Sequence, residues 1–162
     1  MLKLYLDSSA IVKRYVEEPG SATIDAVFDG AEVGKVRIAF SLWNVGEVLG
    51  TLAERRRRGW LEEGEFSEAL RRFIDEVLKL LRLRVLDVIP VLTPMLVETW
   101  ALILNQHIYE ADAIQISTYT YSKSDTLLSA DKVLIEATKE SGLKAIHVEE
   151  GADEVKKLIE EH

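Results

Sequence analysis

Four acidic residues stand where short apolar runs end or where helices begin: Asp7, Glu47, Asp112 and Asp131. Asp7 closes the run Leu2-Lys3-Leu4-Tyr5-Leu6, and Asp131 comes two residues after Thr126-Leu127-Leu128-Ser129. Glu47 lies about two turns into the helix expected after Val36-Arg37-Ile38-Ala39-Phe40. Asp112 opens a helical stretch just before the strand that leads to Asp131. In a parallel α/β sheet the carboxyl ends of the strands share one edge, and ligands bind there. Carboxylates gathered at such an edge repel one another unless a cation joins them. Oxygen ligands of this kind suit a hard divalent cation, Mg²⁺ or Mn²⁺. Metal-assisted cleavage of a phosphodiester is the chemistry such a set most readily performs.

The elements that must position these acids alternate between short strands and helices. Strands are expected at about 2–6, 35–40, 84–89, 125–129 and 143–148. A helix follows Ser8 until Pro19-Gly20 stops it, and Ser21 caps a second helix to about Ala31. Ser41 caps a third helix running to Gly59, with an apolar stripe of Leu42, Val45, Leu49, Leu52 and Ala53. Gly46 and Gly50 lie one turn apart in that helix. Each costs up to ~1 kcal/mol against Ala, so close packing beside Glu47 is the expected reason for them. A fourth helix spans about 62–82 and places Phe66, Leu70, Phe73, Ile74, Val77, Leu78 and Leu81 on its buried side. It follows the third without an intervening strand, which predicts a helical hairpin projecting from the sheet. Thr93-Pro94 reads as an N-cap and first-turn proline, opening a helix to about Asn105. The remaining helices are expected at about 109–122, 131–141 and 152–161. This alternation predicts one α/β domain over residues 1–162, a parallel sheet covered on both faces in three α/β/α layers.

Taken singly, each acid also has a plain explanation. Asp7, Asp112 and Asp131 fit helix caps or first turns, where exposed N–H groups favour carboxylates. Glu47 fits a surface helix. Together they point to one place, because Asp7 and Asp131 follow strands that would flank the topological switch point. Helix 3 rises about 1.5 Å per residue, so Glu47 lies roughly 9 Å beyond Ser41, compatible with a carboxylate facing the same edge.

The segments Leu4-Tyr5-Leu6-Asp7-Ser8-Ser9-Ala10, Asn44-Val45-Gly46-Glu47-Val48, Tyr109-Glu110-Ala111-Asp112-Ala113-Ile114 and Leu128-Ser129-Ala130-Asp131-Lys132-Val133-Leu134 occur in this order. The series resembles the motifs of PIN domains, and within them the VapC-type toxins of prokaryotic toxin–antitoxin pairs. The resemblance covers nearly the whole chain. It implies a five-stranded parallel sheet of order 3-2-1-4-5 and a metal-dependent endoribonuclease leaving 5′-phosphate and 3′-hydroxyl ends. It also implies a homodimer and inhibition by a small antitoxin protein. Position by position, Asp7, Glu47, Asp112 and Asp131 match the four acids of the family, with Mg²⁺ or Mn²⁺ as the cofactor they would hold. Ser129 matches the hydroxyl residue two before the fourth acid, and Ser8 and Ser9 the small polar pair after the first. One departure concerns the third motif, where Ala111 precedes Asp112 and Tyr109 is displaced. Glu110 is a rival for that role but points elsewhere on a helix. A non-catalytic PIN-like binding or regulatory protein is the alternative.

Composition sets the outer bounds. The 162 residues are 48% hydrophobic and 30% charged, with no Cys and a net charge of −8. Without Cys there are no disulfides, thiolate zinc sites or Cys nucleophiles, which fits a reducing cytosol. No apolar run approaches the roughly 20 residues of a membrane span, and a cytoplasmic protein is expected. An acidic balance argues against nonspecific nucleic-acid binding. The block Arg55-Arg56-Arg57-Arg58 reads either as a solvated helix end, where cations suit the dipole, or as a contact to phosphate or a partner. His107, His147 and His162 read as surface or loop residues, and Trp43, Trp60 and Trp100 as core or dimer-interface residues. Gly30-Ala31-Glu32-Val33-Gly34-Lys35-Val36 is one residue short of a phosphate loop and lacks its Ser/Thr. A nucleophile elbow, a zincin helix and a dinucleotide fingerprint are absent. A phospho-acceptor receiver is excluded because Ile89-Pro90 and His147-Val148 stand where it needs an Asp and a Lys.

Overall fold

Side chains that alternate along each strand feed two separate cores, one on either face of a parallel sheet. The computed structural model describes residues 1–161; His162 lies outside the described residues. The strands are β1 (Leu2–Leu6), β2 (Val36–Ser41), β3 (Leu86–Ile89), β4 (Thr126–Ser129) and β5 (Ala145–His147). They are ordered β3-β2-β1-β4-β5, with every neighbouring pair parallel. The order expected from the family resemblance is therefore the one observed. In register, Leu4 stands beside Ile38 on one side and Thr126 on the other.

Successive strand residues point to opposite faces. Leu4, Leu6, Ile38, Phe40 and Leu128 join one core, and Tyr5, Ala39, Leu127 and Ala145 the other. The first core is covered by α1 (Ser8–Ile11) and its 3₁₀ continuation Val12–Arg14, α2 (Ser21–Glu32), α3 (Leu42–Arg57), α4 (Glu63–Arg82) and α8 (Ala152–Glu160). The second lies under α6 (Glu110–Ser122) and α7 (Lys132–Glu140), flanked by α5 (Thr93–Gln106). Burial on both faces explains why the strands read as nearly continuous apolar runs.

Several boundaries differ from the sequence expectation for local reasons. The first helix is one turn long and tightens to 3₁₀, which swings Tyr15 inward against Phe28 and Phe73. Gly20, with φ +89°, occupies the N-cap of α2, while the Ser21 hydroxyl donates to the Lys13 carbonyl at 2.7 Å. Leu92, not Thr93, caps α5, with the proline in the first turn as expected. Ser41 does cap α3, in a reciprocal box with Asn44.

The apolar stripes of α3 and α4 are also corrected. In α3 the buried residues are Asn44, Val48 and Leu52, whereas Leu42, Leu49 and Ala53 are exposed. In α4, Ala69, Phe73 and Leu80 are buried, and Ile74, Leu78 and Leu81 face outward. The two helices do form consecutively, but as a hairpin laid on the first core, to which Leu52, Phe73 and Leu80 contribute. Periodicity alone cannot choose between two apolar stripes on one helix; the sheet beneath chooses. Trp43, Trp60 and Trp100 are 44%, 67% and 59% exposed, so none belongs to the core.

Gly46 and Gly50 do not serve close packing. A Cβ on either would meet nothing within 4 Å. Both sit in ordinary helical backbone, so Gly50→Ala is expected to raise stability by up to ~1 kcal/mol. Urea unfolding measures this, and a loss of stability would show a packing role the geometry does not contain.

Candidate metal-dependent active site

The connection from β3 crosses the sheet to β4, so the strand order reverses between β1 and β4. The crevice at their carboxyl ends is the switch point where α/β folds bind ligands. Asp7 leaves β1 there and Ser129 ends β4. Asp7 is 4% exposed and also forms the N-cap of α1. Its Oδ1 accepts the Ala10 N–H at 3.0 Å and the Ser9 hydroxyl at 2.8 Å. Its Oδ2 accepts the Ser129 hydroxyl at 3.0 Å. Ser9 Oγ in turn accepts the Ala130 N–H at 2.8 Å, and Ser129 Oγ accepts that of Asp131 at 2.9 Å. Two hydroxyls thus tie the ends of β1 and β4 around one carboxylate. Ser8, the other member of the polar pair, makes none of these bonds and lines the hollow beside Glu47.

Burial pushes the Asp7 carboxyl up to about 6, against the opposing hydrogen bonds from Ser9, Ala10 and Ser129 and with help from the charge of Glu47. Asp112, in the first turn of α6, is half-buried. Burial raises it too, followed by the charges of Asp131 and Glu47. Each raised acid therefore feels the charge of Glu47. Its Oε2 accepts the Gln115 side-chain N–H at 2.9 Å, with Asn44 Nδ2 at 3.5 Å. Asp131 is exposed, and its Oδ1 caps α7 through the N–H groups of Val133 and Leu134 at 2.8 and 3.3 Å. The capping explanation of Asp7 and Asp131 is thus correct as far as it goes, and each uses only part of its carboxylate for it.

Among the described residues no three His, Cys, Asp or Glu side chains stand close enough together to hold a metal ion by themselves. The donor chemistry nonetheless fits a hard divalent ion: all-oxygen ligands, mutually repelling in its absence. An open arrangement suits Mg²⁺, which keeps several waters and binds through few carboxylates. Beside Glu47 lies a hollow of about 490 Å³ lined by Ser8, Glu47, Gly50, Thr51, Glu54, Arg55 and Trp60.

The family model for the PIN domain matches residues 4–140. The chain belongs to the PIN domain family. Among curated proteins none matches the sequence. Similar solved structures include PAE2754 from Pyrobaculum aerophilum, 18% identical, TM-score 0.65, with 96% of this chain and 98% of that chain covered. FitAcB from Neisseria gonorrhoeae is 17% identical, TM-score 0.63, covering 90% and 97%. VapBC2 from Rickettsia felis, solved bound to a DNA fragment from its promoter, is 12% identical, TM-score 0.61, covering 90% and 98%. These likenesses establish the PIN fold.

Sequence reasoning did not single out Tyr5, Gln115 and Thr118 of this PIN domain; it named Ser41 as a helix cap and Asn44 only as a member of the second motif. All five are buried beneath the acids. A signal existed: Gln115 follows Asp112 by three, on the same helical face, inside a stretch otherwise bound for the core. The basic block also resolves: Arg55 pairs with Glu18, Arg56 with Glu63, and Arg57 and Arg58 with Glu54. Each arginine thus has an ion-pair partner within the chain, with Arg57 and Arg58 sharing one glutamate. His107 is an exposed left-handed cap of α5, and His147 ends β5 with its ring against the Ala130 carbonyl at 3.0 Å.

Proposed function

We propose that this PIN domain is a metal-dependent endoribonuclease, the toxin of a toxin–antitoxin pair. The observation that carries the proposal is geometric: in a chain matched by the PIN family model, Ser9, Ser129 and the Ala10 N–H hold the buried Asp7 carboxylate at the switch point, within reach of the charge of Glu47. PIN domains are generally nucleases, and the FitAcB and VapBC2 likenesses support the toxin assignment. In this reading Asp7, Asp112 and Asp131 hold one or two Mg²⁺ or Mn²⁺ ions, and Glu47 completes the shell or orients the attacking water. When bound, such an ion neutralises charge on the phosphate and lowers the pKa of water. Ser129 and Ser9 keep the Asp7 carboxylate turned into the crevice. A small antitoxin and a second copy of the chain are the proposed partners. The exposed Leu42, Trp43, Val97, Trp100 and Leu104 supply apolar surface for such contacts, and light scattering reads the assembly. Among the described residues no helix is long and apolar enough to cross a membrane, and a cytoplasmic location is proposed with the toxin role.

One observation favours the non-catalytic alternative: the chain carries a net charge of −8, and its arginine block is internally paired. Cleavage of a mixed set of labelled RNAs separates the two. The nuclease cuts with Mn²⁺ or Mg²⁺, stops with EDTA and loses activity in Asp7→Asn. Intact RNA in every lane, together with calorimetry showing no Mn²⁺ binding, returns the non-catalytic reading.

A further inference from the structure

We propose that Gln115 is the positioning residue for Glu47, and that Tyr5 sets the direction in which Gln115 acts. The inference rests on the nuclease reading only for its catalytic consequence. The geometry stands in the buried layer between sheet and helices. The Tyr5 hydroxyl lies 2.6 Å from Thr118 Oγ1, 2.9 Å from Gln115 Oε1 and 3.1 Å from Asn44 Oδ1. A phenol carries one proton. Asn44 Oδ1 already accepts the Ser41 N–H and the Ser41 hydroxyl, both at 2.7 Å. Among the described residues Gln115 Oε1 accepts from Tyr5 alone, so the phenol proton points at Gln115. Thr118 Oγ1, whose own hydroxyl donates to the Ile114 carbonyl at 2.8 Å, anchors the phenol oxygen from the other side.

At the other end, Gln115 Nε2 stands 2.9 Å from Glu47 Oε2. A carboxylate only accepts, so the amide cannot be turned the other way without setting two acceptors against each other. The donors of Tyr5 and Gln115 therefore point the same way, and the row ends on the Glu47 carboxylate. Neutral side chains rooted in the core deliver a charge-assisted hydrogen bond to an acid on another helix. Glu47 sits on α3, where a glutamate at a helix surface would otherwise sample several rotamers. The bond holds Oε2 and leaves Oε1 for the crevice. Asp112 and Gln115 lie three apart on α6, so one helix carries both the third acid and the group that aims the second.

The test uses two size-matched variants. Gln115→Met removes donor and acceptor with an unbranched side chain. Gln115→Glu keeps an acceptor for Tyr5 but turns the donor toward Glu47 into an acceptor. Tyr5 retains Thr118 and Asn44 as partners in both. With RNA and saturating Mn²⁺, kcat is expected to fall about 10–100-fold, the range seen when groups supporting a metal site are removed. KM for RNA should stay near wild type and half-saturating Mn²⁺ should rise; the melting temperature should fall more in Gln115→Glu, which buries a second carboxylate beside Glu47, than in Gln115→Met. A kcat equal to wild type in either folded variant overturns the proposal. The geometry has its own readout without catalysis. The side-chain amide ¹H–¹⁵N resonance of Gln115, recognised by its loss in Gln115→Met, should move on Glu47→Gln and on Tyr5→Phe. A resonance indifferent to both overturns the relay whether or not RNA is cut. Wild-type protein that cuts no RNA while this resonance moves would instead refute the nuclease reading and leave the relay standing.

Discussion

Asp7→Asn is expected to melt several degrees above the wild-type protein at pH 8 in the absence of divalent metal, and to cut no RNA. Asp7 is buried, and its carboxyl is raised from 3.8 to about 6. The folded protein holds this proton more tightly than the unfolded chain does. Its contribution to stability is therefore complete below pH 3.8 and is lost as pH rises through 6. Above that point the ionised carboxylate costs the fold about 3 kcal/mol at 1.36 kcal/mol per pKa unit. An amide removes the charge and still accepts from Ala10. In a domain of this length each kcal/mol moves the melting point by about 2–4 °C. The advantage of the variant should shrink steadily toward pH 4, and Mn²⁺ should narrow it at pH 8 by stabilising wild type alone. Equal melting points for the two proteins at pH 8 would mean that the crevice imposes no such penalty.

Arg14→Ala should be strongly damaging although it lies outside the crevice, at about 3 kcal/mol, the low end of the loss when one partner of a buried pair is removed, because this pair is partly buried. Arg14 and Glu76 are 14% and 13% exposed. The guanidinium donates to both Glu76 oxygens, at 2.9 to 3.2 Å, to Asp25 at 2.8 Å and to Asp29 at 3.2 Å. It also lies 5.3 Å from the centre of the Phe28 ring, and the Tyr15 hydroxyl donates to Glu76 at 2.8 Å. One side chain thus joins the turn after α1 to α2 and α4. Lysine cannot replace this fork of donors, so Arg14→Lys should recover little. Adding Glu76→Gln to Arg14→Ala should recover more than ~1 kcal/mol, because the stranded charge is much of the loss. Urea unfolding of the four proteins closes the cycle. A double variant no more stable than Arg14→Ala would move the explanation from charge to packing.

The sequence alone determined the strands, the parallel class and the placing of Asp7 at the carboxyl end of β1, beside the end of β4. Strands buried on both faces must be largely apolar, and the turns and caps that end them are read from residues a few positions away. Those constraints are local in the chain and hence visible in it. Ser41 as a cap and the family motifs were legible for the same reason. The tertiary structure decided which of two apolar stripes on α3 and α4 faces inward, since a helix with both can turn either way until a sheet lies beneath it. It decided that Gly46 and Gly50 border open space, and that the arginine block is spent on glutamates from Glu18 to Glu63. It also brought Tyr5, Asn44, Gln115 and Thr118 together under Glu47 across 113 positions of chain. No spacing rule reaches so far: a hydrogen bond depends on where two strands and two helices finally pack, and each polar residue taken alone reads as an exception to its own apolar face.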